Sequence, residues 1–382
     1  MVAIDSYAGG DGRLSPLSTP SATRAVLEAH GIGTKYTLGQ NFLVNDDVLK
    51  KIVALAEVGE NDRILEVGPG IGTLTIALLK HAASVIAIER DPDLPAVLAD
   101  TLHPWREKFA LIEKDALDVT RDDIVSVAST MVEPGGDTGC PDRASSAANE
   151  TAQWAVSQSE DCLSESRYRV AVPQEELRPS LPSKLVANLP YAVAATVVLD
   201  YFESFPFLDS ATIMVQKEVA DRMAAAVGTK NYGAYTVKLG LYVEPAGRFA
   251  VGPGNFFPPP RVDSAVIRLN RRVPLMADGA PASPEVIAAA ALMADAAFTN
   301  RRKTIANSCK TYFSGRGPIS LGAGPSAQEG APGIVLPDGA AIAERLAAIF
   351  DAATIDPRRR GETLTQQEFL ALGAALLKVT AA

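Results

Sequence analysis

Asn188-Leu189-Pro190-Tyr191 closes a short apolar run, "KLVAN" (184–188), and a segment of helical period follows. A turn does not need an amide, a proline and an aromatic ring in that order. Together they suit the flat face and amino group of a nucleobase. The Asn188 side-chain oxygen and the Leu189 carbonyl can accept both N–H bonds of an adenine N6. That favours a pyramidal nitrogen whose lone pair is free to attack. Pro190 has no N–H to donate and fixes φ, which stiffens the turn. Tyr191 can stack on the base, with Phe256 or Phe257 as a second face. Base–aromatic stacking is worth roughly 1–3 kcal/mol, and a π face stabilises a nearby cation by about 0.5–2 kcal/mol.

The reactant facing such a base is read from "ILEVGPGIGTLT" (64–75). A strand ends near Glu66, and Gly68, Gly70 and Gly72 form a loop that opens a helix. Glycines let the backbone approach a ligand and take φ > 0. The helix start offers free N–H groups to an anion. Glu89 ends the next strand, about 20 residues on, where a carboxylate can accept both hydroxyls of a ribose. Asp115 follows the third strand, in position to accept from an adenine amino group. A dinucleotide fingerprint would read G-x-G-x-x-G. The loop here reads G-P-G-I-G after an acidic residue, which suits S-adenosylmethionine, with one carboxylate and no pyrophosphate. The chemistry is then an in-line displacement at a methyl carbon, helped by positioning. It needs no metal and no strong base.

Strands alternating with helices must position these groups. "RILEVG", "SVIAIER", "FALIEKDAL", "KLVAN" and "ATIMVQ" are short apolar strands, with helical segments after most of them. That pattern predicts a parallel α/β sheet. The prolines of 247–272 interrupt it until "SAVIRL" (264–269), which could add an edge hairpin. Residues 1–33 read as a disordered extension and 34–272 as a Rossmann-like domain. A polar, turn-rich insert covers 121–182. Residues 275–382 form a smaller helical domain with a second insert at 314–338.

Composition bounds the function classes. The chain has 382 residues, three cysteines and three histidines, with no metal or redox spacing among them. There is no apolar run of membrane length and no signal-peptide pattern, which predicts a cytoplasmic protein. A formal charge of −9 argues against nucleic acid, but its distribution does not. Residues 121–180 hold 11 acidic and 5 basic side chains, whereas 261–310 hold 8 basic and 4 acidic. A local basic face can bind phosphates on an acidic protein.

These pieces converge on a family. The sequence closely resembles the ribosomal RNA adenine N6,N6-dimethyltransferases of the bacterial small-subunit type. The resemblance rests on "LGQNFLVN" (38–45), "EVGPGIGTLT" (66–75), "AIERD" (87–91), "KDAL" (114–117), "ANLPY" (187–191), "MVQKEVADRM" (214–223), "FFPPPRVDSAVIRL" (256–269) and "FTNRRKTIANS" (298–308). It implies a class I S-adenosylmethionine-dependent methyltransferase fold, a seven-stranded Rossmann-like sheet with a small C-terminal α-helical domain. It also implies cofactor contacts from Asn41, Leu43, Gly68, Gly70, Glu89, Asp115 and Asn188. Its implied target is two adjacent adenosines in a hairpin loop near the 3′ end of small-subunit (16S) rRNA, within the 30S subunit or its precursor. Arg301, Arg302, Lys303 and Lys310 would contact phosphates. A metal-free monomer is expected. Rival readings are a large-subunit resistance methylase, a DNA adenine methylase and a non-catalytic assembly factor. The "VDSAV" and "RRKTIANS" blocks favour the small-subunit type.

Overall fold

The apolar runs pair in parallel, as their composition predicts. The computed structural model describes residues 12–33, 40–131, 180–317, 334 and 340–381. By their contacts the chain forms two units. The first is Met1–Val198, Phe205–Lys217 and Gly247–Arg268; the second is Leu199–Ser204, Glu218–Ala246 and Leu269–Ala382.

In chain order the elements are α1 (Pro20–Ala29), β1 (Phe42–Leu43), α2 (Asp46–Ala56), β2 (Arg63–Val67), α3 (Thr73–Leu79), β3 (Ser84–Glu89), α4 (Leu94–Thr101), β4 (Phe109–Glu113), α5 (Arg121–Thr130), β5 (Lys184–Asn188), α6 (Ala194–Ser204) and β6 (Ser210–Gln216). There follow α7 (Lys217–Met223), α8 (Ala234–Gly240), β7 (Val243–Val251), β8 (Phe256–Phe257), β9 (Ser264–Arg271), α9 (Pro284–Phe298), α10 (Ile305–Phe313), α11 (Ala340–Ala352) and α12 (Gln366–Ala381). Seven strands form one sheet in the order β4-β3-β2-β5-β6-β9-β7. β2 runs parallel to both β3 and β5. Five of the six residues of β3 are buried, as expected of a parallel strand covered on both faces. Between β2 and β5 the strand order reverses, and open sheets bind ligands at such a switch point.

Three expectations need revision. Residues 12–33 are not a disordered lead: Thr19 caps α1 by accepting from Ala22 N, with Pro at the first turn, a favoured helix start. Leu17, Val26 and Leu27 are buried in the sheet unit's core. The predicted insert likewise begins with structure, because Thr120 and Asp123 form a capping box that opens α5; 132–179 lie outside the described residues, as do 1–11, 318–333 and 335–339. Finally, β9 lies inside the sheet and β7 is its edge. β7 contains Pro245, which an edge strand tolerates.

The second unit is helical at its core. Its boundary is not the 272–275 junction expected from sequence, since 218–246 join the helices. Lys238 of α8 pairs with Asp295 of α9 at 3.1 Å. Phe298, Ile349, Phe350 and Phe369 share one apolar cluster. Arg359, ahead of α12, pairs with Glu368 in its first turn. Gly373 lets α12 approach α9 closely: a Cβ there would lie 2.6 Å from both Ala290 N and Val286 O. These are backbone atoms that cannot rotate away. Gly373→Ala is therefore expected to destabilise the protein by about 1–3 kcal/mol, read by denaturant unfolding of the full chain. An unchanged midpoint would show that the helix pair has slack.

Candidate active site

The sheet unit holds a cleft of about 510 Å³ whose walls include the residues that follow β2, β3, β4 and β5. That volume suits a nucleoside-sized ligand. Asn41, Leu43, Gly68, Gly70, Glu89, Asp115, Asn188, Leu189, Pro190 and Tyr191 all line it. The structure thus brings together residues that lie up to 150 positions apart in the chain.

Backbone geometry shapes the floor. Gly68, Gly70 and Gly72 have φ of 70°, 60° and 88°, which L side chains rarely adopt. A Cβ at Gly70 would also meet the Phe42 ring at 3.1 Å. Phe42 and Leu43 form β1, which pairs antiparallel with β8: Phe42 faces Phe257 and Leu43 faces Phe256. Asn45 Nδ2 donates to Asn255 Oδ1 at 2.8 Å and tightens the same ribbon. The 40–43 segment is therefore held across the cleft by a strand pair.

The polar groups have defined partners. Asn188 Nδ2 donates to the Asn41 carbonyl at 3.1 Å, so Oδ1 is the amide atom left to accept. Leu189 N donates to Met214 O at 3.1 Å, which fixes the turn on β6. Glu89 Oε1 accepts from Arg90 N and Asp91 N, both at 2.9 Å. Burial nonetheless raises the Glu89 pKa, against the backbone N–H groups of Asp91, Arg90 and Gly70. Asp115 Oδ2 accepts from Arg90 Nη1 at 2.8 Å and Oδ1 from Leu117 N at 3.1 Å. Each oxygen keeps capacity for another donor.

Glu66 is the outlier. It lines the cleft, is 1% exposed, and its Oε2 has no hydrogen-bond partner among the described residues. Burial pushes its pKa up to about 8, opposed by the Thr75 hydroxyl and reinforced by the charge of Glu89. Thr73 Oγ1 is also buried with no partner among the described residues, and Thr73 lines the cleft. Buried polar atoms left unpaired are costly. A donor-bearing ligand answers them, so the residues present fit S-adenosylmethionine.

Tyr191 is anchored by a residue that sequence reasoning missed. Its hydroxyl lies 2.6 Å from Ser264 Oγ at the start of β9, and Ser264 is fully buried. Only the "VDSAV" block marked Ser264 in advance, without a role. Gln40, Phe42, Arg90, Lys114 and Gln216 also line the cleft unforeseen. Phe256 does not offer the expected second stacking face. It is 4% exposed, belongs to the apolar core, and is absent from the cleft lining. On a two-residue strand adjacent side chains point to opposite faces, and Phe256 takes the core side. The half-buried Phe257 carries the Arg24 guanidinium 5.2 Å above its ring.

In the helical unit, Arg302, Lys303 and Lys310 are exposed. Arg301 is committed: Nε donates to Glu362 at 2.9 Å and Nη2 to the Thr229 carbonyl at 3.1 Å.

A glycine loop after β2, an acid at the end of β3, a second acid after β4 and Asn-Leu-Pro-Tyr starting at the end of β5 define a class I methyltransferase of the amino-group type. The family model "Ribosomal RNA adenine dimethylase" matches residues 33–317. The chain belongs to that family. It is therefore an S-adenosylmethionine-dependent rRNA methyltransferase. It is 33% identical over 363 residues to a ribosomal RNA small subunit methyltransferase A of Geobacillus sp. (strain WCH70), covering 95% of this chain and 98% of the relative. It is 32% identical over 383 residues to the protein of that name from Corynebacterium jeikeium (strain K411), covering 94% and 96%. Among solved structures it resembles a dimethyladenosine transferase from Plasmodium falciparum (TM-score 0.56, 19% identity, 88% of this chain and 98% of the other). It also resembles the 23S rRNA methyltransferase ErmE (TM-score 0.50, 20% identity, 88% and 99%). At these identities the likenesses establish the fold.

The part-buried Tyr191–Ser264 contact carries a stability consequence. Ser264→Ala and Tyr191→Phe should each cost about 0.5–1.5 kcal/mol. The double variant should cost less than their sum, because residues in contact do not add. Strict additivity in urea unfolding would show that the hydroxyls are not coupled.

Proposed function

We propose that the enzyme dimethylates N6 of two adjacent adenosines in a hairpin loop near the 3′ end of 16S rRNA. It acts as a cytoplasmic monomer on the 30S subunit or its precursor. The observation that carries this reading is that Asn188-Leu189-Pro190-Tyr191 shares one cleft with Glu89 and Asp115. The base and the methyl donor can then meet without moving either strand end.

The donor, S-adenosylmethionine, supplies an electrophilic methyl group on a sulfonium. Asn41 and Leu43 cover the cleft, and Gly68 and Gly70 lie along the methionine part. Glu89 accepts from the ribose hydroxyls, and Asp115 accepts from the cofactor's adenine. On the substrate side, Asn188 Oδ1 and the Leu189 carbonyl accept from N6. Pro190 keeps that carbonyl in place, and Tyr191 stacks on the extruded base. A single-stranded loop lowers the cost of extrusion. After the first transfer N6 retains one N–H, so one acceptor must release its partner before the second. Arg302, Lys303 and Lys310 meet RNA phosphates. Arg301, held by Glu362, supports the turn that presents them.

The direct test is methyl transfer from labelled S-adenosylmethionine to small subunits lacking the modification, followed by nucleoside mass spectrometry. Dimethyladenosine at two adjacent loop positions is expected. Labelling of large-subunit RNA alone would make this a resistance-type methylase. Asn188→Ala should lower the rate by on the order of 10²-fold while leaving subunit binding intact. Lys303→Ala should reduce the slope of log affinity against log salt by about 0.7–0.9. Arg301→Ala should act mainly on stability.

A further inference from the structure

Glu66 has no part in the transfer as derived above, yet it is the most unusual group in the cleft. A carboxyl that is 1% exposed, has one oxygen without a partner among the described residues and sits near a second acid, the half-buried Glu89, is poorly placed to carry charge. Desolvation without pairing disfavours the ionised form strongly. The groups around it confirm this. α3 contributes the uncharged Thr73 and Thr75, and β3 contributes Glu89. The nearby ends of β5 and β6 contribute Asn188 and Gln216, which do not titrate. The cations of the cleft lining, Arg90 and Lys114, are engaged elsewhere: Arg90 with Asp115 at 2.8 Å and Lys114 with Asp123 at 2.9 Å. Among the described residues, the cleft offers no free cation to an ionised Glu66.

The ligand does carry cations. Building on the cofactor reading above, we propose that Glu66 is neutral in the ligand-free enzyme and ionises when it pairs with the α-ammonium of the cofactor's amino acid, so that cofactor binding releases a proton. The O–H bond of the Glu66 carboxyl breaks, and its proton passes to solvent. The ammonium, already charged at neutral pH, keeps all its protons and takes over as the partner of the carboxylate. The protein charge exposed by ionisation is matched by the ligand charge brought in. The pKa of Glu66, raised to about 8, sets the window. Below that value binding and deprotonation are coupled, so affinity rises with pH; above it the coupling fades.

Titration calorimetry of the full-length enzyme separates this from other sources of protons. S-adenosylhomocysteine carries the ammonium and no sulfonium. 5′-Methylthioadenosine keeps adenine, ribose and sulfur but has no amino acid. Each is titrated at pH 7 in buffers of different ionisation enthalpy, and the slope of heat against that enthalpy counts protons. Any proton that Glu89 releases on meeting the ribose appears with both ligands. S-adenosylhomocysteine should release about one proton more than 5′-methylthioadenosine, and its affinity advantage should widen about tenfold per pH unit from pH 6 to 7.5. In Glu66→Gln the difference in protons should vanish while S-adenosylhomocysteine still binds. Equal proton counts for the two ligands in the wild type would overturn the proposal, as would an undiminished difference in Glu66→Gln. The wild-type comparison decides even if the variant does not fold. Absence of binding by either nucleoside would instead remove the cofactor reading on which the proposal rests.

Discussion

The parallel pairing of β2 with both β3 and β5 is the constraint on which the site depends. Because the chain passes from β2 to β3 on one side and from β5 to β6 on the other, the loops that follow β2 and β5 diverge and a crevice opens between them. Side chains do not have to carve it. Main-chain bonds carry the pairing past the strand ends: Gly68 N donates to Ile88 O at 2.9 Å, and Leu189 N to Met214 O at 3.1 Å. The glycine loop is thereby tied to β3 and the Asn-Leu-Pro-Tyr turn to β6. Each half of the site is positioned by the neighbouring strand on its own side of the crevice, and the Asn188–Asn41 bond joins the β5 half to the covering segment.

On that frame the cleft collects acids rather than bases. Glu66, Glu89 and Asp115 come from three successive strands, and of these Asp115 is paired with a cation, Arg90. Glu89 is supported by backbone N–H groups, and Glu66 has less support still. Such a site favours a ligand that brings positive charge and hydroxyl donors, and disfavours a phosphate. The same polarity separates the two nucleic-acid components of the reaction. Under the proposed function, the nucleoside of the donor enters an acidic cleft and the RNA backbone is met elsewhere on the chain.

Much of this was legible in sequence, for physical reasons. Parallel strands are buried on both faces and read as apolar runs, so β2 to β6 were recognisable, and a functional residue at a strand's carboxyl end needs no further geometry to be placed. Misreadings arose where tertiary context decides. α1 was hidden by a polar, glycine-rich lead, although Thr19-Pro20 is a helix-start signal. β7 was hidden by Pro245 and by an exposed, polar pattern, both normal at an edge. Phe256 and Phe257 are adjacent aromatics on a two-residue strand, and a slip of one position exchanges their faces. The Tyr191–Ser264 bond spans 73 positions, and the burial of Glu66 depends on α3 folding over it. Neither has a local signature.

Charge counting shows the same limit in a form that bears on RNA recognition. The basic segment 261–310 holds eight Lys and Arg residues, yet half of them serve the fold. Arg268 bonds Glu57 and the Leu55 carbonyl. Arg271 bonds the Phe202 carbonyl and lies over the Phe202 ring. Arg272 bonds Gln366, and Arg301 bonds Glu362. Arg261, Arg302, Lys303 and Lys310 are the exposed remainder. If phosphate contacts came from this segment alone, salt dependence would be shallow and non-specific affinity modest. On a chain of net charge −9, backbone attraction alone would hold RNA weakly. Under the proposed function, discrimination then rests on the base itself, through the stacking and paired acceptors offered by Asn188-Leu189-Pro190-Tyr191. A deeply buried serine behind Tyr191 is the support such a demand requires.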